Sequence, residues 1–370
     1  MNTPQSAHCR RCLLPAAVPQ ADLNEQGVCR FCREDIHVLK PWQDHRTEHQ
    51  ADLKELIKSC RASTARYQGL VCLSGGKDSL LLLYKLKVEE GLRVLAFTTD
   101  SNIPDLAWVN IRTAVEKLGV EHLVYRPERG FYKKLFRYCL MNQEQRGAVY
   151  TISYVYAPLF EGDALRAATE RGIPAVFAGY SPGQPEAERM VYEFSRAWVA
   201  ETHWTPPQLQ SSGEFSREEL LRFWNPREEF PAGTSFPRYI APFHAWPYDQ
   251  EEAIKQVVKL GLVPTASNAS PVRSNYPINW LLMYSDLKHF GYNPYAPEFS
   301  ALIRAGRADR RRWAMAMPLV NFMIRHKVLL GREVKRSMDW LELREDDLKI
   351  NLPRGAYDPP IKTRSKSVNP

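Results

Sequence analysis

Two constellations in this 370-residue chain have residue types and spacing suited to chemistry. The first is the run Ser74, Gly75, Gly76, Lys77, Asp78, Ser79, which follows the apolar Leu70-Val71-Cys72-Leu73 and precedes a stretch of helical spacing over 80–88. Two adjacent glycines let backbone N–H groups turn toward an oxyanion, and a helix N-terminus adds the positive end of its dipole. Lys77 and the serine hydroxyls supply further donors. A strand, loop and helix of this composition cradle a phosphate, and the G-x-x-x-x-G-K-[ST] spacing of a Walker A loop is absent. The second constellation is Cys9-x2-Cys12 and Cys29-x2-Cys32, with sixteen residues between the pairs. Thiolate pairs at this spacing close a tetrahedral zinc site, and four thiolates leave no position for water or substrate, so the zinc is expected to be structural. Pro19 and the turn-forming Asn24-Glu25-Gln26-Gly27 return the chain to the second pair.

These residues need elements to hold them. Apolar runs at Arg93-Val94-Leu95-Ala96-Phe97, Leu123-Val124-Tyr125 and Ala175-Val176-Phe177-Ala178-Gly179 alternate with helical spacing over 106–118 and 165–171. The alternation predicts an α/β fold with a doubly wound parallel sheet, whose ligands bind at the carboxyl ends of the strands near the switch in strand order. Asp100 and the glycines from Gly179 to Gly183 fall at such ends. An aspartate there also reads as a helix cap. The expected organisation is a four-cysteine ribbon over 1–45, an α/β domain over 46–260, a helical region over 261–345 and a basic, disordered tail over 346–370. The Trp- and Pro-rich stretch 198–237 reads as an insertion.

Composition narrows the classes. Hydrophobic residues make up 44% and charged residues 25%, which excludes disorder as the dominant state. No apolar run approaches the roughly 20 residues of a bilayer span, and the opening MNTPQSAHCRRC is polar where a signal peptide is apolar, so a cytoplasmic protein is expected. The net charge of +8 favours anionic partners. Residues 301–340 hold ten Lys and Arg against Asp309, Glu333 and Asp339. Arg304, Arg307 and Arg311 recur there at helical spacing near Trp313, with Trp340 further on, a pattern open to nucleic acid or to a solvated face.

Residues 74–79 resemble the SGGxDS pyrophosphate loop of the ATP pyrophosphatases, or PP-loop superfamily, which splits ATP to AMP and pyrophosphate while adenylating a substrate. The resemblance implies ATP binding by Ser74, Gly75, Gly76, Lys77, Asp78 and Ser79, catalytic roles for Lys77 and Asp78, magnesium placed by Asp78, and a nucleotide closed over by Asp100 and Gly179. A four-cysteine ribbon just before this loop resembles the N-acetyl sugar amidotransferases of bacterial surface-polysaccharide (lipopolysaccharide) biosynthesis. The landmarks Ile240-Ala241-Pro242-Phe243, Tyr248, the acidic-starting helix 249–260, Lys288-His289-Phe290-Gly291-Tyr292-Asn293 and Leu302-Ile303-Arg304-Ala305-Gly306 agree with that family. It implies adenylation of the acetamido oxygen of a nucleotide-sugar, displacement of AMP by ammonia, and a separate glutaminase subunit as ammonia source. This chain has no G-x-C-x-G elbow around Cys60, Cys72 or Cys139 and carries Asn2, so neither common glutaminase nucleophile is encoded. The stretch 198–237 and the arginine-rich 308–330 depart from the family pattern and bear on the acceptor.

Two other readings stand beside this one. ATP-dependent thiolation of tRNA or a small molecule would call on a further cysteine. Cys72 reads as core and Cys139, beside Tyr138 and Arg137, as structural or as a reactive thiol. A non-enzymatic nucleotide- or nucleic-acid-binding module would rest on the basic region. No membrane partner is expected. His45 and His49, at i, i+4 spacing in a charged stretch, read as surface residues, and His203, His244, His289 and His326 form no second metal site.

Overall fold

A computed structural model describes residues 7–34, 40–182, 191–269 and 278–358. Six strands form the main sheet: β1 (Gly69–Cys72), β2 (Val94–Thr99), β3 (Glu121–Tyr125), β5 (Ala175–Phe177), β6 (Glu193–Phe194) and β7 (Arg238–Ile240). A separate parallel pair joins β4 (Gln143–Glu144) to β8 (Ile350–Leu352). The main order is β3-β2-β1-β5-β7-β6, parallel throughout except for β6, which runs antiparallel at the edge beside β7. The chain moves outward from β1 to β3 and then returns to the other side of β1 as β5. The switch in strand order therefore lies between β1 and β5, as the doubly wound α/β pattern requires.

Side chains sort by the two-residue period of a strand. Val71, Val94, Ala96, Ala175, Phe177 and Ile240 face one layer, packed with the helices Lys40–Ala62, Lys77–Tyr84, Asp105–Leu118 and Gln250–Lys259. Leu70, Leu95, Phe97, Val176 and Tyr239 face the other, under the second half of the helix Ala148–Glu170 and the stretch 198–237. Every residue of β2 is buried, as expected for a parallel strand covered on both faces. The Trp-rich stretch supplies Trp204 and Trp224, both fully buried, to this second layer. It is fastened by Arg166, whose guanidinium donates to Glu229 (Nε to Oε2, 2.5 Å), to the carbonyls of Arg222 and Phe223, and to Asp163.

A third core joins the first half of the helix Ala148–Glu170 to the helices Arg129–Met141, Asn279–Phe290, Arg310–His326 and Arg332–Leu341. The N-terminus of Ala148–Glu170 is capped from a distance. Asp286 accepts from the Ala148 and Val149 N–H groups at 2.5 and 3.1 Å. Burial pushes this carboxyl up to about 7, against the pull of those two N–H groups.

Several details differ from the sequence expectation. The helical spacing of Arg304, Arg307 and Arg311 does not describe one helix. Ala296–Arg304 ends there, Gly306 turns with φ +67°, and Asp309 caps Arg310–His326 through the Arg311 N–H. Within 346–370, residues up to 358 are folded: β8 pairs with β4, and Tyr357, fully buried, donates to the Asn142 carbonyl at 2.7 Å. Residues 359–370 lie outside the described residues. No helix among the described residues is long and apolar enough to cross a membrane.

Candidate active site and metal centre

The Ser74–Ser79 loop leaves the carboxyl end of β1 and becomes the first turn of Lys77–Tyr84. Gly75 has φ +77°, and a Cβ there would stand 2.5 Å from the Ala107 carbonyl oxygen, so only glycine fits. Asn110 donates to the Gly75 carbonyl at 3.0 Å and ties the loop to the helix Asp105–Leu118. Inside the loop, the Ser79 hydroxyl donates to the Gly76 carbonyl at 3.0 Å and accepts from the Ser74 N–H at 3.2 Å. No side chain caps the helix that follows, so its first N–H groups open toward the adjoining cavity. Gly179, just past β5, lies against this turn: a Cβ on it would come within 2.9 Å of the Ser79 nitrogen.

A cavity of about 400 Å³ opens in front of the loop and is lined by all six loop residues and Gly179. Lys77 Nζ donates to Asp78 Oδ2 at 2.8 Å, and the Tyr248 hydroxyl donates to Asp78 Oδ1 at 2.6 Å. Burial works against the Lys77 ammonium, but the Asp78 carboxylate and the Tyr248 oxygen outweigh it and hold the lysine protonated beyond its ordinary range. Burial and the Asp78 carboxylate likewise push the Tyr248 phenol up, so it stays a donor. Glu298, from the helix Ala296–Arg304, lines the same cavity; burial pushes its carboxyl up to about 8, and Asp78 adds to this while Lys77 opposes it. The far wall carries Ser153, Tyr156, Asn279, Asn293, Phe299 and Trp313. Phe299 and Trp313 stack at 3.6 Å, and Tyr295 donates to Asn279 at 2.7 Å.

Of the sequence-derived site residues, Ser74, Gly75, Gly76, Lys77, Asp78, Ser79 and Gly179 are brought together on this cavity. Asp100 is not among its lining residues. It lies just past β2, buried, with Oδ2 accepting from Arg126 Nε at 2.8 Å and Oδ1 from the Asn102 N–H at 3.3 Å. Gly183 lies outside the described residues. Tyr248, Glu298 and Asn110 were not legible as site residues, because each comes from a segment distant in sequence from the loop. Of the remaining cysteines, Cys139 and Cys60 are fully buried, and burial pushes both thiols up, Cys60 to about 11. Cys72, read from sequence as core, stands in the cavity wall, where desolvation also keeps its thiol protonated.

The other constellation is closed. The four sulfurs of Cys9, Cys12, Cys29 and Cys32 lie within 4.8 Å of one another, with Cys12 to Cys29 at 3.5 Å and Cys9 to Cys32 at 3.8 Å. A tetrahedral ion with metal–sulfur bonds of about 2.3 Å holds its sulfurs about 3.8 Å apart, so the cage fits a single ion of that kind. Leu14, Ala21 and Val28 form a small core around it, with Ile303 packed on its edge. Arg304 closes one side, donating to Cys12 Sγ at 3.3 Å with its guanidinium 5.2 Å over the Phe31 ring.

No family model matches this chain, and no curated protein matches it. Among solved structures, the NMN synthetase from Francisella tularensis is 14% identical, with 82% of this chain and 96% of that chain covered and a TM-score of 0.34. The U34-tRNA thiolase NcsA from Methanococcus maripaludis, solved with its [4Fe-4S] cluster, is 14% identical over 93% of this chain and 90% of that chain, with a TM-score of 0.33. The NH3-dependent NAD synthetase from Campylobacter jejuni subsp. jejuni NCTC 11168 is 14% identical over 38% and 58%, with a TM-score of 0.28. Likenesses this low do not define a shared fold for the whole chain. The functional reading therefore rests on the site itself.

Proposed function

We propose that this chain is a PP-loop ATP pyrophosphatase that adenylates an amide oxygen, best fitted by the acetamido group of a nucleotide-sugar, and replaces AMP with ammonia. The carrying observation is the Ser74–Ser79 turn at the β1/β5 switch point, with Lys77 protonated and Asp78 fixed by two donors at the mouth of the cavity. The acceptor oxygen attacks the α-phosphorus, the α–β phosphoanhydride breaks, and pyrophosphate leaves into the loop N–H groups and Lys77, which meet its developing charge. Ammonia then adds to the activated carbon and the carbon–oxygen bond to AMP breaks, leaving an amidinium in place of the amide. Magnesium, when bound beside Asp78, would neutralise phosphate charge. The amide and aromatic groups of the far wall, Asn279, Asn293, Tyr295 and Trp313, suit an acetamido group on a sugar ring. Zinc is the ion proposed for the four-cysteine cage, with a structural role.

The nitrogen donor separates this reading from thiolation. Ammonium alone should support AMP release by the purified chain, and glutamine should do so only when a glutaminase subunit is added. A Cys139→Ser variant should keep its ammonium-dependent activity, because that thiol is buried away from the cavity. Turnover with sulfide only, abolished by that substitution, would assign the chain to thiolation.

A further inference from the structure

The helix Arg310–His326 is apolar on two sides. Its inner side buries Trp313, Val320, Met323 and Ile324, and Trp313, Met317 and Val320 line the cavity. Its outer side places Met315, Leu319 and Phe322 at i, i+4 and i+7, and these are 73%, 56% and 54% exposed. The row continues into the next turn with Leu329, 67% exposed, and Leu330. Leu329 holds φ +51°, where backbone preference selects glycine or asparagine, so neither burial nor local geometry accounts for a leucine there. Gly331 packs so closely on the Met323 carbonyl that no Cβ fits, which pins this turn beside the helix end.

Arginines frame the row. Arg311 and Arg312 at the start of the helix, Arg325 at its end and Arg332 past the turn are exposed, and none has a carboxylate partner among the described residues. The nearby acids are engaged elsewhere: Asp309 caps the helix, Glu333 pairs with Arg336, and Asp339 pairs with Lys335. We propose that this face seats on the surface of an anionic phospholipid bilayer, with the apolar row sunk among the acyl chains and the arginines at the headgroups.

Charge and shape select this occupant. A second copy paired antiparallel across Leu319 would set Arg311 and Arg312 against Arg325 and His326, and a parallel pairing would set like against like. The occupant is therefore anionic. Between Met315 and Phe322 the exposed positions of the helix carry only apolar side chains, with the His326 ring following at 4.4 Å from that of Phe322, so this stretch offers no directional polar match to one protein surface. A fluid anionic surface needs only apolar depth and positive charge. Continuous hydropathy, which gave no bilayer span and hence the expectation of no membrane partner, does not register this face because its apolar residues stand three and four apart. Seated this way, the cavity would lie about one helix diameter, roughly 10 Å, from the lipid.

The test is co-sedimentation of the full chain with extruded vesicles of phosphatidylcholine alone and of phosphatidylcholine mixed with phosphatidylglycerol. Binding is expected to the mixed vesicles and not to the neutral ones. Arg311→Ala/Arg312→Ala should weaken it about tenfold or more, and Leu319→Glu/Phe322→Glu should abolish it, with thermal melting of both variants unchanged because the altered side chains are exposed. Background binding to the mixed vesicles, equal binding to neutral ones, or binding indifferent to these substitutions overturns the proposal. So does a dimer in sedimentation equilibrium that Leu319→Glu dissolves, which would assign the face to a second copy.

Discussion

At the scale of single residues, the arrangement around Asp78 decides what the loop can do. Its two oxygens accept from Lys77 and Tyr248, so the carboxyl group is held in one orientation, while its charge helps keep the lysine a cation. Lys77→Ala removes a preorganised charge from the departing pyrophosphate and should lower turnover by about 10² or more. Tyr248→Phe removes one charge-assisted hydrogen bond and should cost about tenfold, read as AMP released at saturating ATP. Equal activity of Tyr248→Phe and the parent chain would mean that Asp78 is held well enough without it. Asp163 offers a prediction about pH. Burial pushes this carboxyl from 3.8 to about 7, although Arg166 and the Thr99 hydroxyl pull the other way. Between those two values the folded state binds a proton that the unfolded chain has released, so stability falls as pH rises through that window, by at most about 1.4 kcal/mol per pH unit for this group. Asp163→Asn should flatten the dependence of melting temperature on pH between about 4 and 7. Asp286, shifted in the same direction, preserves part of the slope. An unchanged profile would contradict the assignment.

At the scale of elements, the four-cysteine ribbon has a small core of its own and touches Ile303 and Arg304, on the helix that also carries Glu298 into the cavity, and Arg310, which donates to the Arg10 carbonyl at 3.0 Å. One zinc per chain is expected by elemental analysis. Cys29→Ser should lose the metal and unfold the ribbon while a melting transition of the sheet remains; a single global loss of fold would show that the ribbon nucleates the whole chain. The loop, the strands feeding it and the paired cysteines were legible because each is local: composition and spacing within a few residues carry the signal. Tyr248 stands 170 residues from Asp78 and was a landmark of the resembled family only, with nothing local to set it beside the loop. Glu298 lies in the first turn of Ala296–Arg304, far in sequence from the loop, and no local pattern marks it. The turn at Gly306 was visible only through the Leu302–Gly306 landmark and not in the spacing of the arginines, and β8 is a short strand whose partner, β4, lies some two hundred residues earlier. Non-local pairing of this kind leaves no periodic trace in one sequence.

At the scale of the whole molecule, three cores meet at the cavity. The sheet layers bring the loop and Gly179, and the helical core brings the far wall from Asn279 to Val320. The helix Ala148–Glu170 belongs to two of these cores and lines the cavity between them, so the loop side and the far wall share one element. Such a chamber suits a reaction in which a phosphoanhydride and a second substrate must be aligned with water excluded. The most direct measurement of this claim is phosphorus NMR of the products formed from ATP and magnesium with ammonium and a panel of N-acetyl nucleotide-sugars, with Lys77→Ala as the control. AMP and pyrophosphate, formed in equal amounts and lost in the control, are the expected result; ADP and phosphate would contradict it.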